Sequence, residues 1–290
     1  MTQTSGLILK TLKYADNFNY PLKPEEISRW LIATAVSKDN ANETLRISFA
    51  GIKKDLALLV KSGQVGKLNS FYFLPGRGET INSRLTHQKY SADKYKIVWQ
   101  AEKILSRFGW IRMIGVTGSL AMNNSRKEDD IDLLIITQTN RLWLTRPLVL
   151  LMLTMFGIKV RHYGEIKVAD KICLNMFLDE DNLAMEERNL YVAHEIVQIK
   201  PVFDRGTYYH RLLMANPWVK DYLPFAARWV NLNKPLNQSL NRVCLRNILN
   251  TLNRFAYHLQ YRYMAGRLTK EVVDLHRALF HPRKIGDVVE

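Results

Sequence analysis

Residues 113–137 read MIGVTGSLAMNNSRKEDDIDLLIIT, and this stretch decides the fold class. An apolar strand leads to the turn Gly118-Ser119, a short helix follows, and an acidic turn then precedes a second apolar strand. Glycine at such a turn lets the backbone approach a bound group closely. The run from Leu133 to Ile136 is almost continuously apolar, which is typical of a central strand covered on both faces. The pattern therefore predicts an α/β core with acidic side chains at the end of a buried strand.

Asp130 and Asp132 are the candidate reactive groups of this stretch. Residues two apart in a strand point to the same side, so the two carboxylates are expected about 7 Å apart along one face. Like charges crowded at the end of a buried strand are costly unless a cation offsets them. Mg²⁺ is suited to that role, since it binds through one or two carboxylates together with phosphates. The bland alternative is a solvated acidic turn, residues 128–132, that leads into a core strand.

Gly118-Ser119, followed at eleven residues by Asp130-Ile131-Asp132, resembles the signature of the DNA polymerase β-like nucleotidyltransferases. The resemblance implies an α/β (α+β) core with a mixed sheet and a nucleoside triphosphate (NTP) as substrate. It also implies that Gly118 and Ser119 bind the nucleotide, and that Asp130 and Asp132 are catalytic and hold the metal. Mg²⁺ or Mn²⁺ is the implied cofactor, and the implied reaction is an in-line displacement at phosphorus.

Active members of that superfamily usually carry a third carboxylate on a neighbouring strand. The candidate strand covers residues 171–178, and its expected position holds Asn175. An amide oxygen can coordinate a divalent ion, but it neither removes a proton nor adds charge. Asp179, Asp170 and Glu165 are the other candidates for this position.

Residues 1–78 resemble a winged-helix domain. Three helical segments, about residues 7–18, 24–32 and 43–61, precede two short strands that flank Asn69-Ser70. Lys53 and Lys54 lie off the apolar stripe of the third helix, where they are candidates for phosphate contacts with RNA or DNA. The alternative is a domain that serves only packing or protein interaction.

Residues 79–186 are the predicted nucleotidyltransferase core, and residues 187–290 are predicted to form a helical C-terminal region. Within residues 240–263, apolar side chains fall in an arc of roughly 120° at helical pitch and are expected to pack against other C-terminal helices: Leu245, Ile248, Leu249, Leu252, Phe255, Ala256, Leu259 and Tyr263. Outside that arc lie Arg242, Arg246, Arg254, His258 and Arg262. This basic face is either solvated or a contact for a phosphate-bearing substrate such as nucleic acid. An anionic membrane is disfavoured, because the arc is expected to be buried.

The composition indicates a basic globular chain. Among 290 residues, 42 Lys and Arg exceed 27 Asp and Glu, giving a net charge of +15 and a sequence pI near 9.7. Nucleic acid is therefore the first partner to consider. Cys173 and Cys244 show neither disulfide nor zinc spacing, so we expect a reducing cytoplasm. No export signal is visible, and the longest apolar run, residues 148–158, is shorter than the ~20 residues that span a bilayer, so no membrane partner is expected.

Other nucleotide-binding patterns are missing from the sequence, which contains neither GxxxxGK[ST] nor GxGxxG. The favoured function is a nucleotidyltransferase that moves a nucleoside monophosphate from an NTP to an acceptor, with RNA preferred on charge alone. One alternative is a non-catalytic nucleic-acid-binding or regulatory protein with a degenerate nucleotidyltransferase fold. Another is an enzyme that modifies a protein or a small molecule. The sequence sets neither the acceptor nor the oligomeric state.

Overall fold

The computed structural model describes residues 2–33, 47–226, 246–267 and 271–280. The chain is mixed α/β, as the sequence predicts. Arg242 and the side chain of Arg246 lie outside the described residues, so their expected role stays a prediction. No helix in the described ranges is long and apolar enough to cross a membrane.

The described residues of the N-terminal unit, from α1 to β2, form three helices and a hairpin in the expected order: α1 Gln3–Asp16, α2 Pro24–Arg29, α3 Phe49–Lys61, β1 Gly66–Leu68 and β2 Phe71–Phe73. Thr2 and Ser48 cap α1 and α3 by accepting backbone N–H groups. Asn69, at a φ of 54°, forms the hairpin turn in the left-handed region that asparagine tolerates. The bridge between Leu22 and Tyr72 ties the hairpin to the segment before α2.

A six-stranded mixed sheet follows in the order β6-β3-β4-β5-β8-β7. Its strands are β3 Ile111–Val116, β4 Ile131–Thr137, β5 Ile172–Asp179, β6 Lys200–Asp204, β7 Val272–Val273 and β8 Arg277–Leu279. β4 and β5 are parallel, whereas β3 pairs antiparallel with both β4 and β6. The remaining helices are α4 Thr80–Leu105, α5 Gly118–Ala121, α6 Leu142–Met155, α7 Leu190–Gln198, α8 Tyr208–Ala215 and α9 Arg246–Met264.

Side chains of β4 alternate between two hydrophobic clusters, one on each face of the sheet. Leu133 and Ile135 pack in the cluster that contains residues of α4 and α6. Leu134 and Ile136 pack in the cluster that contains the N-terminal unit, α7 and α8. Because side chains two apart share a face, Asp132 belongs to the face that the N-terminal unit covers.

The region after residue 186 is predicted to be helical, but it also contains the strands β6, β7 and β8. β6 pairs with β3, and β8 pairs with β5, so the C-terminal region supplies strands to the central sheet. The free edges of β3 and β5 carry N–H and C=O groups that need partners. Helix α7 ends at Gln198, and Pro201 lies in edge strand β6, where a missing N–H is tolerated.

Helix α9 also differs from the prediction, since most of the described side chains of its apolar arc are exposed. Five large apolar side chains of that arc are exposed: Ile248, Leu252, Phe255, Leu259 and Tyr263. The helix docks instead through another face, on which Asn253 is completely buried and Tyr257 and Met264 pack in the cluster that contains residues of α6. Asn253 Oδ1 accepts the backbone N–H groups of Trp143 and Leu144 at 3.0 and 3.2 Å. The first turn of α6 has unpaired N–H groups, and satisfying them sets the rotation of α9.

We expect the polar contact to outweigh the apolar arc in stability. Asn253→Ala leaves the N–H groups of Trp143 and Leu144 without their acceptor and should lower the free energy of unfolding by about 1–3 kcal/mol. The matched change Leu259→Ala removes a side chain that is 63% exposed and should change the same quantity by only about 0.5 kcal/mol. Urea unfolding of the two variants measures both effects, and the opposite ranking would mean that the apolar arc is buried.

Candidate active site

Gly118 sits where β3 passes into the four-residue helix α5, and its backbone requires a glycine. Its φ is +61°, and a Cβ at this position would lie 2.7 Å from Asp132 Oδ2. A side chain here would therefore be strained and would also collide with the carboxylate. The Gly-Ser turn and the second aspartate of the pair thus lie directly against each other.

Asp130 and Asp132 lie on the same side at the start of β4, as expected. One carboxylate oxygen of each and the sulfur of Cys173 lie within 4.8 Å of one another. Cys173 comes to this place because it is paired with Asp132 in the parallel ladder between β4 and β5. Two acidic groups and one thiol therefore share a single, partly buried site.

Two neighbours stabilise the pair of carboxylates. Arg161 donates from Nη1 to Asp130 Oδ2 at 2.6 Å. Asn175 donates from Nδ2 to Asp132 Oδ1 at 2.8 Å. One contact supplies a positive charge and the other a neutral hydrogen bond, so the two aspartates have different surroundings.

Ser119 lies beside the pair but bonds to a third acid. Its hydroxyl donates to Asp129 Oδ2 at 3.2 Å, and the same oxygen accepts the backbone N–H of Arg126 at 2.8 Å. Ser119 is exposed and lines the same cavity as Asp129, Asp130 and Asp132. The hydroxyl is thus within reach of a ligand that enters this cavity.

Lys94 of α4 holds the acidic turn in place. Its side chain is only 1% exposed, and Nζ donates to the carbonyl of Asp129 at 2.6 Å and to that of Lys127 at 3.3 Å. The same ammonium group pairs with Asp170 Oδ1 at 2.8 Å. One buried cation therefore fixes the backbone from which the aspartates project.

Of the candidates for the third ligand, only Asn175 is joined to the aspartates by a described hydrogen bond. Asp179 pairs with Thr137 at the opposite end of β4 and accepts hydrogen bonds from Asn140 N at 2.8 Å and His276 Nδ1 at 3.2 Å. Five residues of strand separate that position from Asp132, roughly 16 Å. Asp170 pairs with Lys94, and Glu165 pairs with Lys171.

The oxygen atoms, rather than the thiol, suit Mg²⁺ or Mn²⁺ at this site. Burial raises the pKa of Cys173 above its ordinary value, and Asp132 and Asp130 raise it further. The thiol therefore stays protonated, and hard divalent ions prefer oxygen ligands. Asp130 and Asp132 meet the need for one or two carboxylates, so the residues present fit such an ion.

The basic residues predicted to contact nucleic acid do not join this site. Lys53 and Lys54 are exposed on α3, and Lys53 Nζ lies 4.5 Å from the centre of the Phe49 ring. Arg254 and Arg262 are exposed on α9. None of the four lines the cavity next to the aspartates, so any nucleic-acid contact would lie elsewhere on the surface.

Comparison of the chain with protein-family models, with curated proteins and with solved structures found no match. Function is therefore inferred from the residues of the site alone.

The contacts of three residues of the site could not be predicted from the sequence. Lys94 sits in a helix whose pattern gives no sign of a buried lysine, and Arg161 precedes the strand that carries Cys173. Asp129 was part of the acidic run, yet its bond to Ser119 depends on how the turn folds. Each contact joins segments that are distant in sequence or bent by a turn, so no local pattern marks it.

Asn175→Asp tests whether the aspartates form a cation site. The change replaces a donor to Asp132 with a third negative charge, so without metal the variant should unfold more easily than wild type, by about 1–3 kcal/mol. Adding Mg²⁺ or Mn²⁺ should raise the melting temperature of the variant more than that of wild type. Asn175→Ala is the control, because it removes the donor without adding charge. Equal responses of all three proteins to metal would argue against the site.

His194, on α7, predicts a specific pH dependence of stability. Burial lowers its pKa from 6.5 to about 3, so below pH 6.5 the unfolded chain binds a proton that the folded chain does not. The contribution of His194 to the free energy of unfolding is therefore fully present above about pH 6.5. It falls as the pH drops, by about 2 kcal/mol at pH 5. Urea unfolding at pH 7.5 and at pH 5 should show that the wild-type protein loses unfolding free energy at the lower pH. In His194→Phe this loss should be smaller by about 2 kcal/mol. An unchanged loss in the variant would mean that His194 is accessible to protons.

Proposed function

We propose that this protein is a nucleotidyltransferase that moves a nucleoside monophosphate from an NTP to an acceptor. The observation that carries the proposal is the placement of Asp130 and Asp132, with carboxylate oxygens within 4.8 Å, beside a turn whose Gly118 leaves no room for a side chain. The resemblance to the DNA polymerase β-like superfamily predicts the same residues in the same roles. The order of elements in the N-terminal unit supports a winged-helix fold for residues 1–78.

Asp130 and Asp132 are the residues that would hold Mg²⁺ or Mn²⁺, with the amide oxygen of Asn175 as a further candidate ligand. When bound, the ion supplies neutralisation of the charge that develops on phosphate oxygens. Arg161 balances part of the charge of the two carboxylates, with its Nη1 atom 2.6 Å from Asp130 Oδ2. Ser119, exposed beside them, donates its hydroxyl to a phosphate oxygen in place of Asp129.

The acceptor hydroxyl must lose a proton, and Asn175 cannot take it. A carboxylate of the site takes this proton. Asp132 is best placed for this role, because Asn175 Nδ2 donates to its Oδ1 at 2.8 Å and so fixes its orientation. A carboxylate that accepts a hydrogen bond from a neutral amide still carries further lone pairs that can take a proton.

RNA is the proposed acceptor class, because the net charge of +15 favours a polyanion. The exposed Lys53, Lys54, Arg254 and Arg262 are proposed contacts for its phosphates, together with Arg242 and Arg246. A protein or small-molecule acceptor is the alternative. The spacing of the two cysteines supports a cytoplasmic location for this chemistry.

A second function is favoured by one observation, the neutral Asn175 where the superfamily pattern expects an acid. A protein with this site could bind a nucleotide, and through its basic surface a nucleic acid, without transferring anything. Nucleotide binding without turnover, under conditions where the metal is present, would distinguish this regulatory role from the enzyme.

Incubation of the protein with each labelled NTP, Mg²⁺ or Mn²⁺ and total RNA tests the proposed activity. Asp130→Asn and Asp132→Asn should each lower transfer about a thousandfold or more, because each removes several kcal/mol of charge stabilisation. Asp93→Asn is the matched control, since Asp93 pairs only with Lys96 among the described contacts and is 70% exposed. Transfer that survives in both site variants would rule out the two-carboxylate mechanism.

A further inference from the structure

A cavity of about 330 Å³ opens beside the two aspartates, at the junction between the sheet and the N-terminal unit. Part of its lining, here called the acidic end, is formed by Gly118, Ser119, Asp129, Asp130 and Asp132. The part here called the aromatic end comes mainly from α1, the segment around α2, and α7: Tyr14, Phe18, Tyr20, Trp30, Tyr191 and His194, together with Glu195. Its volume lies at the lower end of the roughly 300–1,000 Å³ found for small-molecule pockets.

The aromatic end is a stacked group of rings. The His194 ring lies parallel to that of Tyr14, with centroids 4.4 Å apart and planes 12° apart. The Trp30 ring lies against the same imidazole, with ring centroids 5.6 Å apart. All three side chains are buried, so the wall is rigid and presents aromatic surface to a bound group.

His194 gives this wall one unused polar atom. The residue is 8% exposed, and among the described residues its Nε2 atom has no hydrogen-bond partner. Because burial keeps the ring neutral, its nitrogens include one donor and one acceptor. Buried polar atoms are nearly always paired in native proteins, so an orphan on a residue that lines a cavity is a candidate contact for a ligand.

Hydrogen bonds join the two ends of the cavity into one structure. Tyr20 donates its hydroxyl to the carbonyl of Met122 at 2.9 Å, and Asn124 donates from Nδ2 to the carbonyl of Phe18 at 3.1 Å. Met122 and Asn124 directly follow the Gly-Ser helix α5. The distance between the aromatic wall and the acidic site is therefore set by fixed contacts.

We propose that the aromatic end of this cavity binds the nucleobase of the nucleotide, with the base stacked on the aromatic wall and hydrogen-bonded to His194 Nε2. A nucleobase matches both features, since it is flat and carries donors and acceptors on its edge. The inference rests on the proposed nucleotidyl transfer for the identity of the ligand. It gives the N-terminal unit a role in binding the substrate, separate from any contact with nucleic acid.

Nucleosides test the base site without phosphates or metal. Adenosine, guanosine, cytidine and uridine are titrated into the wild-type protein by calorimetry, and at least one should bind. His194→Phe keeps an aromatic ring but removes Nε2, and should weaken that binding about five- to tenfold. His210→Phe is the control, since both ring nitrogens of His210 are buried without a described partner, yet it does not line this cavity. It should leave nucleoside affinity unchanged.

Tripolyphosphate with Mg²⁺ probes the acidic end separately. Binding of both probes, with NTP displacing each, is the expected result. If tripolyphosphate binds but no nucleoside does, the base site is wrong and nucleotidyl transfer stands. If a nucleoside binds but tripolyphosphate does not, the base site stands and the proposed transfer fails. Two outcomes would overturn the base site. In one, NTP fails to displace the nucleoside, which would mean that the cavity holds the acceptor. In the other, His194→Phe leaves nucleoside affinity unchanged.

Discussion

The main constraint on this structure is the repulsion between two carboxylates, Asp130 and Asp132, that the fold holds close together. Asp130 and Asp132 lie on the same side where β4 begins, with carboxylate oxygens within 4.8 Å of one another, and the strand residues that follow are buried. The surroundings reduce the cost with one cation at Asp130 and one amide donor at Asp132. Lys94 fixes the preceding turn, so the repulsion is not relieved by unfolding of the loop. Under the proposed function, such a site would take a cation together with the phosphates of the nucleotide.

The position of the N-terminal unit follows from the same face of the sheet. Leu134 and Ile136, which lie on the side of Asp132, pack in one cluster with residues of α1 and α2. Covering this face protects the apolar part of β4 but leaves a gap where the polar residues begin. Tyr20 and Asn124 hold the two units together at the rim of that gap. The cavity is thus a result of how a polar strand end meets an apolar packing surface.

Local pattern was enough to predict the central part of the fold. Alternation and apolar runs are properties of consecutive residues, so they predict β3, the Gly-Ser turn and β4. The same alternation predicts the faces on which Asp130 and Asn175 lie. The rotation of α9 was not, because it depends on N–H groups of Trp143 and Leu144 that lie about a hundred residues earlier. β7 and β8 have two and three residues, too few for a pattern. The contacts of Lys94, Arg161 and His194 are long-range, which sequence periodicity does not encode.

In the proposed enzyme, the neutral Asn175 would change how tightly a cation is held before the nucleotide arrives. A third carboxylate would strengthen binding of the free ion, but it would also add repulsion next to Asp132 in its absence. With two carboxylates, one of them already paired with Arg161, the protein alone offers a weak cation site. Phosphate oxygens then have to complete the coordination, since Mg²⁺ is normally bound by one or two carboxylates together with substrate phosphates. Metal and nucleotide binding would consequently be coupled, and a rigid base pocket at the far end of the cavity would help to supply the affinity that the missing charge does not.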